Sequence, residues 1–421
     1  MCTPPLGIRA NLNQFIQLLL QVLFVGFTLG TMRTVVPTLA FTEFGLQKNS
    51  YVFLTTFVVA FGIAKAILNF VSGDLTERFG RKYILILGWL FALPIPLVIY
   101  LAQSWWSIVF ATLLLGINQG LTWSVTQTSK LDIALYNERG FAIGMNEAAG
   151  YIGLALGGLI SAYFASLFNS RLSLLILGIS TTLIALLFSV SFIKDTLPWA
   201  LKAKKLNIVD SNKKQLILNY GRIIEIFKIV SWKDKRLMAV CQAGLIEKFV
   251  DAVIWIMFPI LLKQTGISLE NIGVIVAVYG LVWGLLQPIF GIYSDKFGRH
   301  RLCVLGIWIC AVGVALITVN YGKVFYCISA AITGIGMAML YPNLSATVAD
   351  IADESWRASA IGIYRFWRDI GYSIGALGIG ITIKYSNSID FAFWFVSASM
   401  FISGLILLKY GSESLLVKDL K

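Results

Sequence analysis

The residues able to do chemistry in this sequence are ionisable groups set inside long apolar stretches: Arg33, Lys65, Glu147, Glu247, Lys248, Asp251, Arg365, Arg368 and Asp369. A charge in hydrocarbon is costly, so one that is kept faces protein or a water-filled path and has a partner or a task there. A carboxylate titrates near 4 in water and burial raises it by up to about 3–5 units, so Glu147, Glu247, Asp251 and Asp369 are candidates to take up and release protons. Arg33, Arg365 and Arg368 suit a solute with an anionic group. Glu247 and Asp251 are four residues apart and share a helix face, as do Arg365 and Arg368 or Asp369. Trp123, Trp255, Tyr341, Tyr364 and Trp367 are candidate apolar or cation-stacking walls. Enzyme chemistry has no support. His300 is the sole histidine, and the five cysteines (Cys2, Cys241, Cys303, Cys310, Cys327) form no CxxC pair. Four of the five sit in apolar runs, where cysteine packs helices. The string Gly375-Ala376-Leu377-Gly378-Ile379-Gly380 is embedded in an apolar helix with no preceding strand to build a phosphate cradle. No metal or cofactor is expected.

The elements that must position these groups are membrane spans. The chain has 421 residues, of which 58% are hydrophobic and 13% charged, against about 45–50% and 25% in ordinary soluble domains. About 20 apolar residues cross a bilayer as a helix, and twelve such runs can be read: 15–45, 51–72, 83–103, 105–128, 140–166 and 172–193, then 237–263, 270–291, 302–320, 323–348, 358–385 and 390–409. The first run is too long for a signal-peptide core and has no small-residue cleavage pattern. The fold class is therefore all-α, in two six-helix bundles at 1–194 and 237–421 joined by a polar linker at 195–236. In the linker, Leu216, Tyr220, Ile223, Phe227 and Val230 recur at helical spacing among Lys213, Lys214, Arg222, Lys228 and Lys233, which predicts an amphipathic helix on the inner leaflet.

Basic residues set the orientation. With the N-terminus in the cytoplasm, roughly 24 of the 34 Lys/Arg fall inside, and about five (Lys48, Arg171, Lys263, Lys323, Lys384) fall outside. Topology thus accounts for most of the net charge of +13 without any nucleic-acid partner. The two halves also repeat at an offset of 218: Gly73, Phe79, Gly80 and Arg81 map onto Gly291, Phe297, Gly298 and Arg299, Asp132 onto Asp350, and Gly144, Gly153 and Gly157 onto Gly362, Gly371 and Gly375. Tandem six-helix units are related by an axis along the membrane normal, a plan for rocking two bundles around a midplane site.

With these motifs in hand, the sequence resembles the major facilitator superfamily. Gly73-Asp74-Leu75-Thr76-Glu77-Arg78-Phe79-Gly80-Arg81-Lys82 is similar to that family's loop G-x-L-x-D-R-x-G-R-K/R between spans 2 and 3, with Glu77 in place of Asp; Gly291 to Arg301, with Asp295, is a weaker second copy. The resemblance implies a gate that ties the first bundle to the start of span 11 in the outward-open state. It makes Gly73, Glu77, Arg78, Gly80, Arg81, Asp295, Gly298 and Arg299 gating residues, with Glu77 near a helix N-terminus as the latch. It also implies that spans 1 and 7 line a cavity and that spans 2 and 11 face each other, so that Lys65 and Asp369 form a compensating pair. The glycine spacing of span 5 opens the family's antiporter motif but continues into Ser161-Ala162, and its repeat in span 11 favours plain close helix packing. In span 4, Gly116 stands where drug antiporters of the family carry an arginine before Gln119-Gly120. The expectation is a monomeric secondary transporter of a small organic solute, proton-coupled, in the inner or plasma membrane with both termini cytoplasmic. Export is preferred over uptake of an organic anion or siderophore-like compound, and a transport-inactive sensor or scaffold is the rival of another class.

Overall fold

The computed structural model describes residues 5–45, 50–135, 138–200, 220–319, 321–352 and 356–412. All regular structure among them is helical. In chain order the helices are α1 (Leu12–Thr42), α2 (Tyr51–Phe79), α3 (Arg81–Ala92), α4 (Ile95–Tyr100), α5 (Trp105–Ile133), α6 (Arg139–Leu167), α7 (Ser170–Ser191), α8 (Tyr220–Lys228), α9 (Lys235–Gln264), α10 (Leu269–Phe297), α11 (Arg299–Leu316), α12 (Lys323–Ile351), α13 (Arg357–Ser386) and α14 (Asp390–Tyr410). Ten segments, with α3 and α4 counted together, are long and apolar enough to cross a membrane. Two more, α9 and α13, are each 30 residues long. They carry the buried charges Glu247, Lys248 and Asp251 and Arg368 and Asp369, which lower their apolarity without exposing them.

Several expected boundaries shift. The third span is broken, because Pro94 cannot donate to the helix ladder and α4 starts afresh behind it. The signature segment is mostly helix: α2 runs through Phe79, so Gly73 is an exposed helical residue, and the turn rests on Gly80 alone. Gly80 has φ +88° and its counterpart Gly298 has φ +93°, a region open to glycine at little cost. A Cβ on Gly80 would also lie 2.2 Å from Asp195 Oδ2.

The linker differs too. Leu216, Lys213 and Lys214 lie outside the described residues, as do Cys2 and Lys48. The described part is α8 and one π-helical turn, Ile229–Lys233, that feeds α9 through the N-cap Asp234. This carboxylate accepts from Arg236 N at 2.9 Å, and the adjacent Arg236 side chain holds it below the usual carboxylate range. The apolar side of α8 docks on the protein. Phe227 packs against Phe366 and Trp367 of α13, and Trp367 Nε1 donates to Ser231 Oγ at 2.8 Å.

Glycine holds each bundle together. A Cβ on Gly153 or Gly157 of α6 would lie 2.1 or 2.2 Å from the carbonyl oxygen of Leu23 or Phe27 on α1, and one on Gly371 of α13 would lie 2.2 Å from Leu245 O on α9. Such backbone-to-backbone approach supplies the dispersion contact that drives helix association in lipid, where no hydrophobic effect operates between helices. The small-residue reading of these glycines holds in both halves. Between the bundles, α2 lies on α13 and α6 on α10. At the end away from the Gly80 turn they are tight: a Cβ on Gly380 would lie 3.0 Å from Val52 Cα and one on Gly273 would lie 2.6 Å from Ala162 Cβ. Toward the Gly80 end Phe70 still meets Phe366, but a Cβ on Gly73, Gly291 or Gly362 would meet nothing within 4 Å.

Replacing Gly157 by Val should cost about 1–3 kcal/mol of overpacking, seen as a lower melting temperature of the purified protein, while Gly73→Ala should leave it unchanged. Equal tolerance at both positions would contradict the packing described.

Candidate functional site

The centre of the molecule is a lattice of buried charges. Asp251 of α9 accepts from Arg33 Nη1 at 2.8 Å, Lys248 Nζ at 3.0 Å, Tyr279 Oη at 3.0 Å and Tyr372 Oη at 2.7 Å. Arg33 also donates to Tyr372 Oη at 3.1 Å and lies 5.3 Å from the ring of Trp255. Lys248 bonds Glu247 Oε1 at 3.2 Å, while Glu247 Oε2 is buried with no partner. Arg368 and Asp369 pair at 2.9 Å, with Asn69 donating to Asp369 and Arg368 to Tyr341 Oη. Asp251, Glu247, Asp369 and Glu147 have no solvent exposure. Ions so deep are tolerated only when paired and hydrogen-bonded on every side.

Arg33 and Asp251 are separated by 218 residues, the repeat offset, so the bond joins equivalent positions of the two halves and lies on their pseudo-two-fold axis. The same offset turns Glu147 into Arg365, Trp123 into Tyr341 and Lys65 into Trp283. It also relates two peripheral ion pairs: Arg81 to Asp132 at 3.0 Å and Arg299 to Asp350 at 2.9 Å.

Beside this lattice is a narrow cavity of about 10 Å³, room for about one water molecule, lined by Lys65, Asn69, Trp123, Ser124, Gln127, Tyr151, Lys248, Tyr341, Arg365 and Arg368. Four of the ten are cations and none is a carboxylate. Helix α2 places Lys65 so that its Nζ is 5.4–5.5 Å from the rings of Phe61, Trp123 and Tyr372. Helix α13 sends Arg365 across to the first bundle, where it donates to Gln127 Oε1. Cations facing aromatic walls in a closed space favour an anionic, partly apolar solute.

A second buried network runs behind Trp123. Its Nε1 donates to Glu147 Oε1 and Oε2 at 3.0 and 3.1 Å, and Asn146 Nδ2 donates to Oε1 at 3.0 Å. Asn146 Oδ1 in turn accepts from Lys130 Nζ at 2.7 Å, and Lys130 also bonds Leu18 O at 3.0 Å. Glu147 is thus one amide away from a cation and touches none directly.

Of the site residues expected from sequence, the structure gathers Trp123, Tyr341, Arg365 and Arg368 at the cavity. Glu147 and Asp369 stand immediately behind them, and Glu247, Asp251 and Arg33 in the lattice; Arg33 does not line the cavity. The expected Lys65 to Asp369 pair does not form, because Arg368 and Asn69 already occupy that carboxylate. Two of the expected aromatics have other partners, as Trp367 holds the linker and Tyr364 packs on Gly244; Trp255, packed on Phe57 and Phe61, faces the Arg33 guanidinium rather than the cavity. Among the gating set, Glu77, Arg78 and Gly73 are exposed, and Arg81 turns into its own bundle toward Asp132 and the carbonyl of Thr76. Gly298 makes the second turn and Arg299 pairs with Asp350. Asp295 lies on α10, and its side chain falls outside the described residues.

Lys65 and Lys248 gain a role at the cavity that the arginines alone had been expected to fill. Lys130 was missed because the fourth span was ended at residue 128, whereas α5 continues to Ile133. The sequence signal for the axial pair was the offset itself: opposite charges 218 apart in two apolar runs.

The family model of the Major Facilitator Superfamily matches residues 18–243 and again 240–417. An uncharacterized MFS-type transporter of Methanocaldococcus jannaschii is 21% identical over 85% of this chain and 87% of its own length. The fosmidomycin resistance protein of Escherichia coli is 26% identical over 164 residues, 38% of this chain and 39% of that one. Among solved structures, a D-xylose-proton symporter superposes with a TM-score of 0.76 at 15% identity, covering 96% of this chain and 99% of that one, a likeness of fold.

The axial pair should behave as a unit. Arg33→Gln or Asp251→Asn alone leaves a buried charge uncompensated, at about 3–5 kcal/mol, whereas the double variant should melt closer to wild type than either single one. Additive losses in a double-mutant cycle would show that the two side chains do not depend on each other.

Proposed function

The chain belongs to the Major Facilitator Superfamily, and from that premise we propose that this multi-pass membrane transporter carries a small organic anion together with a proton by alternating access. One observation carries the reading: the cavity between the bundles presents Lys65, Lys248, Arg365 and Arg368 and no carboxylate. The bundles pack closely at the end away from Gly80 and more loosely around Gly73, Gly291 and Gly362 at the other. With the N-terminus cytoplasmic, as the basic residues favour, this is an inward-facing state in a cell or inner membrane. The exposed Glu77 then belongs to an undocked gate that closes on α13 in the opposite state. A sensor or scaffold would have no use for a cavity in which Lys65 and Arg365 face no carboxylate.

Glu147 is the group we assign to the proton. Asp251 is held by two cations and two tyrosines and serves as the counter-charge of Arg33, while Glu147 has only neutral groups bonded to it and sits against the cavity wall through Trp123. Protonating it removes a negative charge beside the anion site, so proton and anion strengthen each other's binding by the same factor. Partners that bind together travel together, which favours uptake where the proton gradient points inward. That reverses the preference for export drawn from sequence, although partial relatives are named for fosmidomycin and for quinolone resistance.

The test uses probes of fixed charge on the purified protein, with melting temperature as the readout. Benzenesulfonate should stabilise it, and phenyltrimethylammonium should not. The apparent affinity for benzenesulfonate should tighten roughly tenfold as pH falls, a charge-to-charge effect at an intermediate dielectric, and Glu147→Gln should bind it with no such dependence. Stabilisation by the cation in preference to the anion would overturn the substrate class. An unaltered pH response in the variant would remove Glu147 from coupling.

A further inference from the structure

The buried charges can be paired off, and two remain. Arg33, Lys248 and Arg368 are matched by Asp251, Glu247 and Asp369 through direct ion pairs. Lys130 and Glu147 are joined through Asn146. Among the described residues this leaves Lys65 and Arg365. Lys65 is 6% exposed, has three aromatic rings around its Nζ and makes no hydrogen bond; Asp369, whose field reaches it, is already bonded to Arg368 and Asn69. Arg365 bonds the neutral amide oxygen of Gln127. Both line the same cavity, one from α2 and the other from α13. A cation withdrawn from water without a counter-charge is disfavoured, so with Lys65 buried and Arg365 partly buried the site is electrically incomplete by two charges.

We propose that the transported solute carries two negative charges, one met by Lys65 and the other by Arg365, so that the dianion itself bridges the two bundles. The inference rests on the anion reading above and adds its valence. Trp123, Tyr151 and Tyr341 provide flat walls for an unsaturated or aromatic body. Two charges on one head group, as in a phosphate monoester, and two on separate groups, as in a dicarboxylate, share this chemistry.

The experiment compares benzenesulfonate with benzene-1,3-disulfonate, whose charges are fixed at one and two, and adds phenyl phosphate and phthalate at about pH 8, where a phosphate monoester is doubly ionised. Melting temperatures of the full chain in detergent give apparent affinities. At least one dianion should bind roughly tenfold or more tightly than benzenesulfonate, the scale of one charge-assisted hydrogen bond. Whether phenyl phosphate or the two-headed dianions lead identifies the arrangement of the charges. Lys65→Gln and Arg365→Gln should each abolish that preference. Without ligand, Lys65→Met should melt no lower than wild type, whereas Arg368→Met, which strands Asp369, should melt lower. Equal affinity for one and two charges would overturn the valence and leave the anion reading intact. A failure of all four anions together with binding of phenyltrimethylammonium would overturn both. If Lys65→Met lost as much stability as Arg368→Met, Lys65 would be a structural counter-charge and the proposal would fall.

Discussion

Everything at the centre of this molecule depends on the neutralisation of charge where water is scarce. Among the described residues ten ionisable groups are buried, and all but Lys65 find a charged or hydrogen-bonding partner within a few ångströms. The bond from Arg33 to Asp251 anchors the rest. It joins α1 to α9, and the two tyrosines that complete the Asp251 shell come from α10 and α13. Four helices drawn from both bundles therefore converge on one carboxylate. Because breaking such a pair costs far more than forming it gains, the bond contributes less to stability than to register: it fixes which residues face the axis and so which faces of α2, α5, α12 and α13 enclose the cavity.

Around that axis the packing divides into parts that are locked and parts that move. Within each bundle, glycines bring backbones so close that no side chain fits between them, as at Gly157 on Phe27 and Gly371 on Leu245; these contacts make each half rigid. Between bundles, contact is tight at the end away from Gly80 and along the middle, as at Gly62 on Ser373, and looser at Gly73, Gly291 and Gly362. The linker is tied to the moving part, since Phe227 and Ser231 engage α13 at Phe366 and Trp367, one turn from Arg365 and Arg368. A shift of α13 that alters the cavity cations must carry the linker helix with it.

Much of this was legible in the sequence. The twelve spans and the repeat at 218 follow from apolar run length and spacing alone, because a bilayer imposes length and satisfaction of every backbone group. The intramembrane charges were visible for the same reason. Partner choice was not. Which of Lys65 and Arg368 would take Asp369 depends on side-chain reach across a helix interface, which no spacing rule encodes; Arg368 wins because it is adjacent on the same helix and bidentate. Lys130 was lost to a boundary placed a few residues early. Trp255, Tyr364 and Trp367 show the same limit, since a helical face can be read from periodicity but not whether that face meets solute, linker or another ring.

The repeat explains why the cavity has a single sign. Two copies of one six-helix unit related by an axis place equivalent residues opposite each other, so identical charges at equivalent positions would repel across the centre. Here the equivalents have opposite sign: Arg33 against Asp251, and Glu147 against Arg365. On the axis itself the two meet and cancel. Off the axis they do not, because Glu147 is turned behind Trp123 into the network with Asn146 and Lys130, while its counterpart Arg365 reaches into the open space toward Gln127. The same inversion replaces Lys65 by Trp283 in the second half, leaving one cation where symmetry would give two. A symmetric scaffold thus yields an asymmetric field: carboxylates withdrawn to the axis and the rear wall, cations left at the cavity surface, and a gap in the charge balance of a kind that a bound anion closes.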